Sequence, residues 1–509
     1  MRSRLGAFLI GASLAPISYG AAPAASLELS PCRLEHPEHL QSIEARCGVL
    51  SVPENPDQPR SRKIGLNIAV VPALDRRAET DPLFILAGGP GQAAQDFYTL
   101  VAPAFARVQR KHAIVLLDQR GTGGSNALNC AFPDEDEAAD LTPKQLRAHA
   151  RECLESLHAD PAYYTTSVAV QDLDAVRAAL GYAQINLYGV SYGTRVAQHY
   201  LRRFPQHARA LILDGVVPPD AVLAADGALY AQRTLELIFT RCQSDAACHA
   251  VFADPRAQFA ALRTRLAAAP ARVALPDPDT GSVTPVDVRL IHLQIATRLL
   301  SYAPERAALL PLIIDQAVAH DNLVPLAAQA LIMSKRYVGA VSYGMHNAVA
   351  CTEDVPFVDA TKIDRAALAR SYLGPTQLEG LIEVCKEWPR GLMDNDFRAP
   401  LKSDRPVLIL SGSADPVTPP EYAHRAARGL SNALQITLEG QGHGQLATGC
   451  MPRVMARFLE FGTATGLDIS CTRSIAPDPF FTSFSGPPPC RRPRRQRSCA
   501  CSPTRATTG

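Results

Sequence analysis

Short, unbroken apolar runs alternate with segments of helical period through the first part of the chain, stop, and resume near its end. Lys63–Pro72, Pro82–Ala87, Ala113–Leu117, Ile185–Tyr188 and Ala208–Leu213 read as strands. Between them, Ser167–Leu180 places Val168, Leu173, Val176 and Leu180 at helical spacing, with Gly181 as a C-terminal stop, and Tyr192–Phe204 is a second helix. Strands without polar alternation are buried on both faces. The pattern therefore predicts an α/β fold: a mostly parallel sheet with helices on both faces. From Val217 to Pro400 the sequence turns Ala- and Leu-rich and helical in period, with proline-rich breaks near Pro276–Pro285. Alternation returns with Pro406–Leu410, Pro419–Gly429, Ala433–Leu438 and Pro452–Phe461. One α/β core, residues 25–217 and 401–474, interrupted by a mainly helical insertion at 218–400 accounts for this. Such insertions often roof a site; an independent second domain is the alternative.

At one strand–helix junction stands Gly189-Val190-Ser191-Tyr192-Gly193, a G-x-S-x-G pattern. Glycine and serine are common enough for the pattern to arise by chance, so its context decides. A serine hydroxyl is a weak nucleophile until a base takes its proton. A strained turn between a buried strand and a helix exposes it and aims helix N-terminal donors at the same place. Ser191 has that predicted setting.

The candidate base is His443, in a Gly-His-Gly loop just past the last predicted strand, whereas His199, on the helix after Ser191, reads as structural. The candidate acid is Asp415, which follows the strand Pro406–Leu410; Asp214 at the end of "ALILDG" is its rival. Thr418, Pro419 and Glu421 read as a capping box with proline at the first helical position. The order Ser191, Asp415, His443 is the serine–acid–histidine order of α/β-hydrolases. An oxyanion needs two N–H donors. Tyr192 supplies one candidate, and Gly89, in the glycine-rich loop Leu86–Ala94, supplies the other. That loop lacks the spacing of a phosphate cradle.

The 509-residue chain carries a net charge of +2 with 20% charged residues, which points away from nucleic acid and from a membrane surface. Arg2 and Arg4, the apolar run Leu5–Ile17 and the small residues Ala22-Pro23-Ala24 read as a signal peptide over residues 1–24. No later stretch is long and apolar enough to span a bilayer. An exported protein, periplasmic or secreted, is expected, and its cysteines fit an oxidising compartment. Ten of the thirteen fall into sequence-near pairs: Cys32 with Cys47, Cys130 with Cys153, Cys242 with Cys248, Cys351 with Cys385, and Cys450 with Cys471. Nearest-neighbour pairing is the reading adopted, although sequence alone leaves the connectivity open. None of them has metal-ligand spacing, and neither a metal nor an organic cofactor is expected. Residues 475–509, rich in Pro, Arg, Ser and Thr and holding Cys490, Cys499 and Cys501, read as a disordered basic tail.

Five segments, "AGGPGQ" (Ala87–Gln92), "LDQRGTGGSN" (Leu117–Asn126), "YGVSYGTRVA" (Tyr188–Ala197), "SGSADPVTPP" (Ser411–Pro420) and "GQGHG" (Gly440–Gly444), together resemble the prolyl-iminopeptidase and tripeptidyl-aminopeptidase (TAP-like) branch of α/β-hydrolases. The resemblance covers roughly residues 40–217 and 401–474 and implies hydrolysis at peptide amino ends, with the insertion as a cap that holds the free ammonium. Ala87 departs from the histidine that often opens the family's oxyanion loop, which bears on substrate preference more than on activity. Asp118-Gln119-Arg120-Gly121 is architectural in that family. An ammonium needs a fixed anion, and Glu353 and Asp354, beside Cys351, are the candidates. A peptide or small ester is the expected substrate. The alternatives are a carboxylesterase or lipase, which would use the same machinery, and a non-catalytic binding protein on a hydrolase scaffold. Haloalkane and epoxide chemistry is disfavoured, because those relatives generally carry Asp where Ser191 stands.

Overall fold

The computed structural model describes residues 27–488 apart from 76, 78–80, 131–140, 224 and 277–279. The signal-peptide segment, the three tail cysteines and residues 489–509 lie outside the described residues.

The strands are β1 (Ser30–Glu35), β2 (Ser42–Pro53), β3 (Lys63–Val71), β4 (Leu83–Leu86), β5 (Ile114–Leu117), β6 (Ile185–Val190), β7 (Ala208–Asp214), β8 (Ala271–Pro276), β9 (Val283–Val288), β10 (Val407–Gly412) and β11 (Ala433–Leu438). All but β8 and β9 join one nine-stranded sheet in the order β1-β2-β3-β5-β4-β6-β7-β10-β11. From β5 to β11 every neighbouring pair is parallel, and β1, β2 and β3 add an antiparallel edge. Every residue of β4, β5, β6 and β10 is buried, as their mostly apolar sequences, interrupted only by Asn186 and Ser411, require. Successive residues feed opposite faces: Phe84 and Leu86 enter one core, Leu83 and Ile85 the other. The α/β-hydrolase fold expected from the sequence is the fold observed.

β1 and β2 stand where the sequence shows only a polar entry segment. They form an edge ribbon with few buried side chains, so no apolar pattern marks them. The Cys32–Cys47 disulfide ties the ribbon together. The other four nearest-neighbour pairs also form. Cys130 bonds to Cys153, where the segment after β5 meets the helix Pro143–Ser156. Cys242 bonds to Cys248, across the corner between the helices Gly227–Ser244 and Ala246–Val251. Cys351 bonds to Cys385, joining two parts of the insertion 34 residues apart in sequence. Cys450 bonds to Cys471, tying the start of the helix Met451–Phe461 to the segment that follows it. Cys153, Cys351 and Cys385 pack with Trp388 in a small apolar cluster of their own.

Between β7 and β10 the chain runs mainly through helices, which build a separate core around Phe239, Leu293 and Ile313. Two expectations need correction in this region. The proline-rich break near Pro276–Pro285 is an antiparallel hairpin of β8 with β9. A two-stranded ribbon is all edge, and an edge tolerates proline. The tail, read as disordered from Ile475, is ordered at least to Pro488. Phe480 is buried in the insertion's core beneath the Arg241 guanidinium, 4.0 Å from the ring centroid, and the Phe481 N–H donates to the Ala308 carbonyl at 3.2 Å. Two adjacent phenylalanines give this stretch apolar area that its polar composition conceals.

Candidate active site

Ser191 occupies φ 54°, ψ −124°, between fully buried β6 and the helix Tyr192–Arg203. A non-glycine residue held there costs about 1–3 kcal/mol and persists only where its surroundings impose it. The flanking glycines explain the imposition. A Cβ on Gly193 would lie 2.2 Å from the Leu86 carbonyl oxygen, and one on Gly189 would lie 2.4 Å from the Gly193 oxygen. Strand and helix approach so closely that only hydrogen fits at either position.

His443 lies between β11 and the helix Met451–Phe461, in one cavity with Ser191. Its N–H donates to the Tyr302 carbonyl at 2.7 Å, and its ring meets the Tyr302 ring edge-on at 5.4 Å. Nδ1 sits 2.8 Å from Oδ2 of Asp415, which is wholly buried. The other oxygen, Oδ1, accepts from the N–H groups of Val417 and Thr418 at 2.7 and 2.8 Å. Burial pulls the imidazole pKa down, but the Asp415 carboxylate, helped by Asp214, outweighs this and holds it above the ordinary histidine value.

Thr418 does not cap a helix. The next helix, Pro420–Ala427, begins after Pro419 without a side-chain cap. The Thr418 hydroxyl instead donates to Asp415 Oδ2 at 2.8 Å and lies 3.1 Å from His443 Nδ1. The capping pattern in the sequence thus points to the residue but not to its partner.

The rival acid, Asp214, has a different task. It accepts from the N–H groups of Gln445 and Leu446 at 2.8 and 2.9 Å and from the Tyr188 hydroxyl at 2.9 Å. Its own carbonyl accepts the Ser191 N–H at 2.9 Å. It anchors the histidine loop and the serine turn to the end of β7. Burial, opposed by these hydrogen bonds, lifts its pKa to about 6.

The glycine-rich loop after β4 passes directly over the serine. A Cβ on Gly88 would lie 3.2 Å from the Ser191 Cβ, and Gly89 takes φ +105°, which glycine adopts without strain. Tyr192 is the first residue of its helix, so its N–H has no intrahelical acceptor.

Comparison with known proteins agrees with the fold. Residues 81–234, which hold Gly89 and Ser191, match the family model described as "alpha/beta hydrolase fold". Residues 370–471, which hold Asp415 and His443, match "TAP-like protein". The chain has the α/β-hydrolase fold, and its C-terminal part is similar to TAP-like proteins. Serine protease Hip1 of Mycobacterium tuberculosis is 25% identical over 496 residues, covering 87% of this chain and 91% of the relative. Tripeptidyl aminopeptidase of Streptomyces lividans is 27% identical over 470 residues, with 85% of each chain covered. Carboxylesterase B of M. tuberculosis is 27% identical over 481 residues, with 84% and 86% covered.

In this hydrolase the two carboxylates expected to hold a substrate ammonium are already engaged. Asp354, on the cavity wall, is paired through both oxygens with the buried Arg195 guanidinium at 3.0 and 3.1 Å and also accepts the Leu223 N–H. Glu353 is wholly buried and accepts from the Thr166 N–H at 2.7 Å and hydroxyl at 2.9 Å, with Arg195 at 3.7 Å. The correction comes from Arg195, whose role as their counter-ion the sequence does not announce. His199 and Arg120 are structural, as read: His199 Nε2 lies 2.8 Å from Asp394, and Arg120 pairs with buried Asp172 at 2.6 and 2.7 Å.

Burial, against the pull of Arg195 and Thr166, raises the Glu353 pKa to about 7. An acid with a raised folded-state pKa adds stability below its unfolded pKa, and that contribution is lost as pH rises toward the folded value. Glu353→Gln should therefore gain on the wild type between pH 5 and pH 8, by up to about 3 kcal/mol in denaturant unfolding. A stability difference independent of pH over that range would refute the assignment.

The cavity above Ser191 measures about 1450 Å³. Gly89, Ser191 and His443 line it from the core, and Arg298, Tyr302, Tyr343 and Asp354 line it from the insertion. Among the described residues, no helix is long and apolar enough to cross a membrane.

Proposed function

We propose that this chain is an exported serine peptidase that removes one or a few residues from the amino ends of peptides. One observation carries the reading: a serine held in a strained turn shares a cavity with a histidine whose Nδ1 is fixed by a buried aspartate. In this scheme Ser191 Oγ attacks the substrate carbonyl while His443 Nε2 takes its proton. The Nδ1–H bond to Asp415 keeps Nε2 free to act as that base and stabilises the imidazolium that forms. The Gly89 and Tyr192 N–H groups receive the developing oxyanion. His443 then returns the proton to the leaving amine, and water cleaves the acyl-enzyme by the same route.

The cavity exceeds the roughly 300–1,000 Å³ of common small-ligand sites, which favours several residues of peptide over a short acyl group. Its walls come from both core and insertion, an arrangement suited to admitting a chain end, and the insertion acts as the cap. Similarity to the tripeptidyl aminopeptidase supports peptide amino ends as the target. Five disulfides among the described residues support export. Similarity to Carboxylesterase B favours ester hydrolysis as the second reading, since the same groups would cleave either bond.

The test compares a tripeptide amide with a free amino end, its N-acetylated counterpart and a short acyl ester on the purified protein. The peptidase reading expects kcat/KM for the free-amino peptide to exceed that for the blocked one by about ten-fold or more. Equal rates on the two peptides, with faster ester turnover, would favour the ester reading instead.

A further inference from the structure

We infer that Arg298 forms a carboxylate-binding subsite in the active-site cavity, so that the preferred substrates carry a carboxylate close to the scissile bond. The inference rests on the serine-hydrolase reading of Ser191 and adds the substrate class to it.

Arg298 lies near the end of the helix Leu290–Leu300, one turn before Tyr302, the residue that holds His443. It is half-buried and lines the same cavity as Ser191 and His443. Its Nη1 is sealed from solvent and meets no hydrogen-bond partner. The groups that act on it most strongly are the phenols of Tyr302, which hydrogen-bonds to it, Tyr372 and Tyr337; His443 also feels its charge, and no carboxylate is among them. The Tyr372 hydroxyl is buried beside the guanidinium, with Arg298 as its neighbouring donor and no acceptor for its own proton. A guanidinium stays protonated at any physiological pH, and a phenol is neutral there and can donate. The guanidinium thus has neutral phenols as neighbours and no anion, and its remaining N–H donors cost free energy unless an acceptor reaches them. A carboxylate entering the cavity pairs with the guanidinium fork that Arg298 presents there, while Tyr372 backs the guanidinium from outside the cavity lining.

The rest of the cavity leaves this positive charge uncompensated. Asp354 is neutralised by Arg195, while Glu305 and Asp478 are exposed. A second lining arginine, Arg306, meets only the Met333 sulfur, at 3.7 Å, among the side chains of the described residues. The acidic anchor expected for a substrate ammonium is therefore paired, and the free buried charge is a cation.

A carboxylate near the cut can come from an acidic side chain in the released segment or from the free carboxy end of a short peptide. Two isosteric substrate pairs separate these sources. One replaces Glu by Gln in the released segment; the other replaces a free carboxy-terminal acid by its amide. In the wild type, kcat/KM should favour the acid in one pair by about ten- to a hundred-fold, the range for a buried hydrogen bond to a charged group. Arg298→Gln should bring that ratio close to one, Arg298→Lys should keep part of it, and Tyr372→Phe, which removes only a neighbour of the guanidinium, should lower it less than Arg298→Gln does. Because each ratio is taken within one variant, loss of folded protein cancels. Wild-type turnover with no preference in either pair, or a preference that survives in Arg298→Gln, overturns the subsite but leaves the hydrolase reading standing. Failure to turn over any substrate, with Ser191 unlabelled by a fluorophosphonate, takes down both.

Discussion

Replacing Ser191 by alanine is expected to lower kcat on any substrate of this hydrolase by about 10⁵–10⁶-fold, the scale on which removing the nucleophile disables a serine triad. The loss should fall on kcat and leave KM nearly unchanged, because the rest of the cavity remains to bind substrate. Fluorophosphonate labelling should vanish with it. The fold should survive the change. Alanine at φ 54° is no easier to hold than serine, but the turn is imposed by the packing of β6 against the following helix through Gly189 and Gly193. The Ser191→Ala variant keeps the backbone N–H that reaches the Asp214 carbonyl. Melting temperature should therefore stay within a few degrees of the wild type. Retention of more than about 1% of activity would mean that another group is the nucleophile.

What can be read from the sequence follows from the range of the interactions involved. β4, β5, β6 and β10 are legible because full burial leaves a run that is apolar but for Asn186 in β6 and Ser411 in β10. Ser191 and Asp415 are legible because each follows such a run, and His443 because its Gly-His-Gly loop follows the last strand, β11. The five disulfides are legible because each joins cysteines that are neighbours in sequence, from Cys242 and Cys248 at 6 residues apart to Cys351 and Cys385 at 34. β1 and β2 are not, because an edge ribbon buries too little to leave a pattern. Thr418 misleads because its serine/threonine–x–x–glutamate spacing also describes a helix cap, and only the folded loop shows its hydroxyl turned to Asp415. Glu353 and Asp354 mislead because their partner, Arg195, lies more than 150 residues earlier in the chain. Arg298 is ordinary as a letter in a helix. Its interest arises only where the insertion meets the core, on a wall shared with His443.

Asp415→Asn should lower kcat by about 10⁴-fold and move the acidic limb of the pH–rate profile to lower pH. The local hydrogen bonds determine how. Asp415 Oδ1 accepts from two backbone N–H groups, so the asparagine carbonyl must occupy that position. Its NH₂ is then forced to the Oδ2 position, facing the Thr418 hydroxyl and His443 Nδ1. A donor at that place turns Nδ1 into an acceptor and puts the imidazole proton on Nε2, which can then no longer take a proton from Ser191. The second effect concerns titration. The base works only when neutral, so activity in the wild type is lost as pH falls through the raised His443 pKa. Removing the carboxylate removes the main cause of that rise, while burial, which lowers the pKa, remains. The variant's residual activity should therefore persist to lower pH than the wild type's. Thr418→Val, which keeps the carboxylate and removes only the hydroxyl, should shift the limb far less. If Asp415→Asn left the limb in place and cost less than about ten-fold, the orienting acid would have to be sought at Asp214, whose oxygens hold the same loop from below.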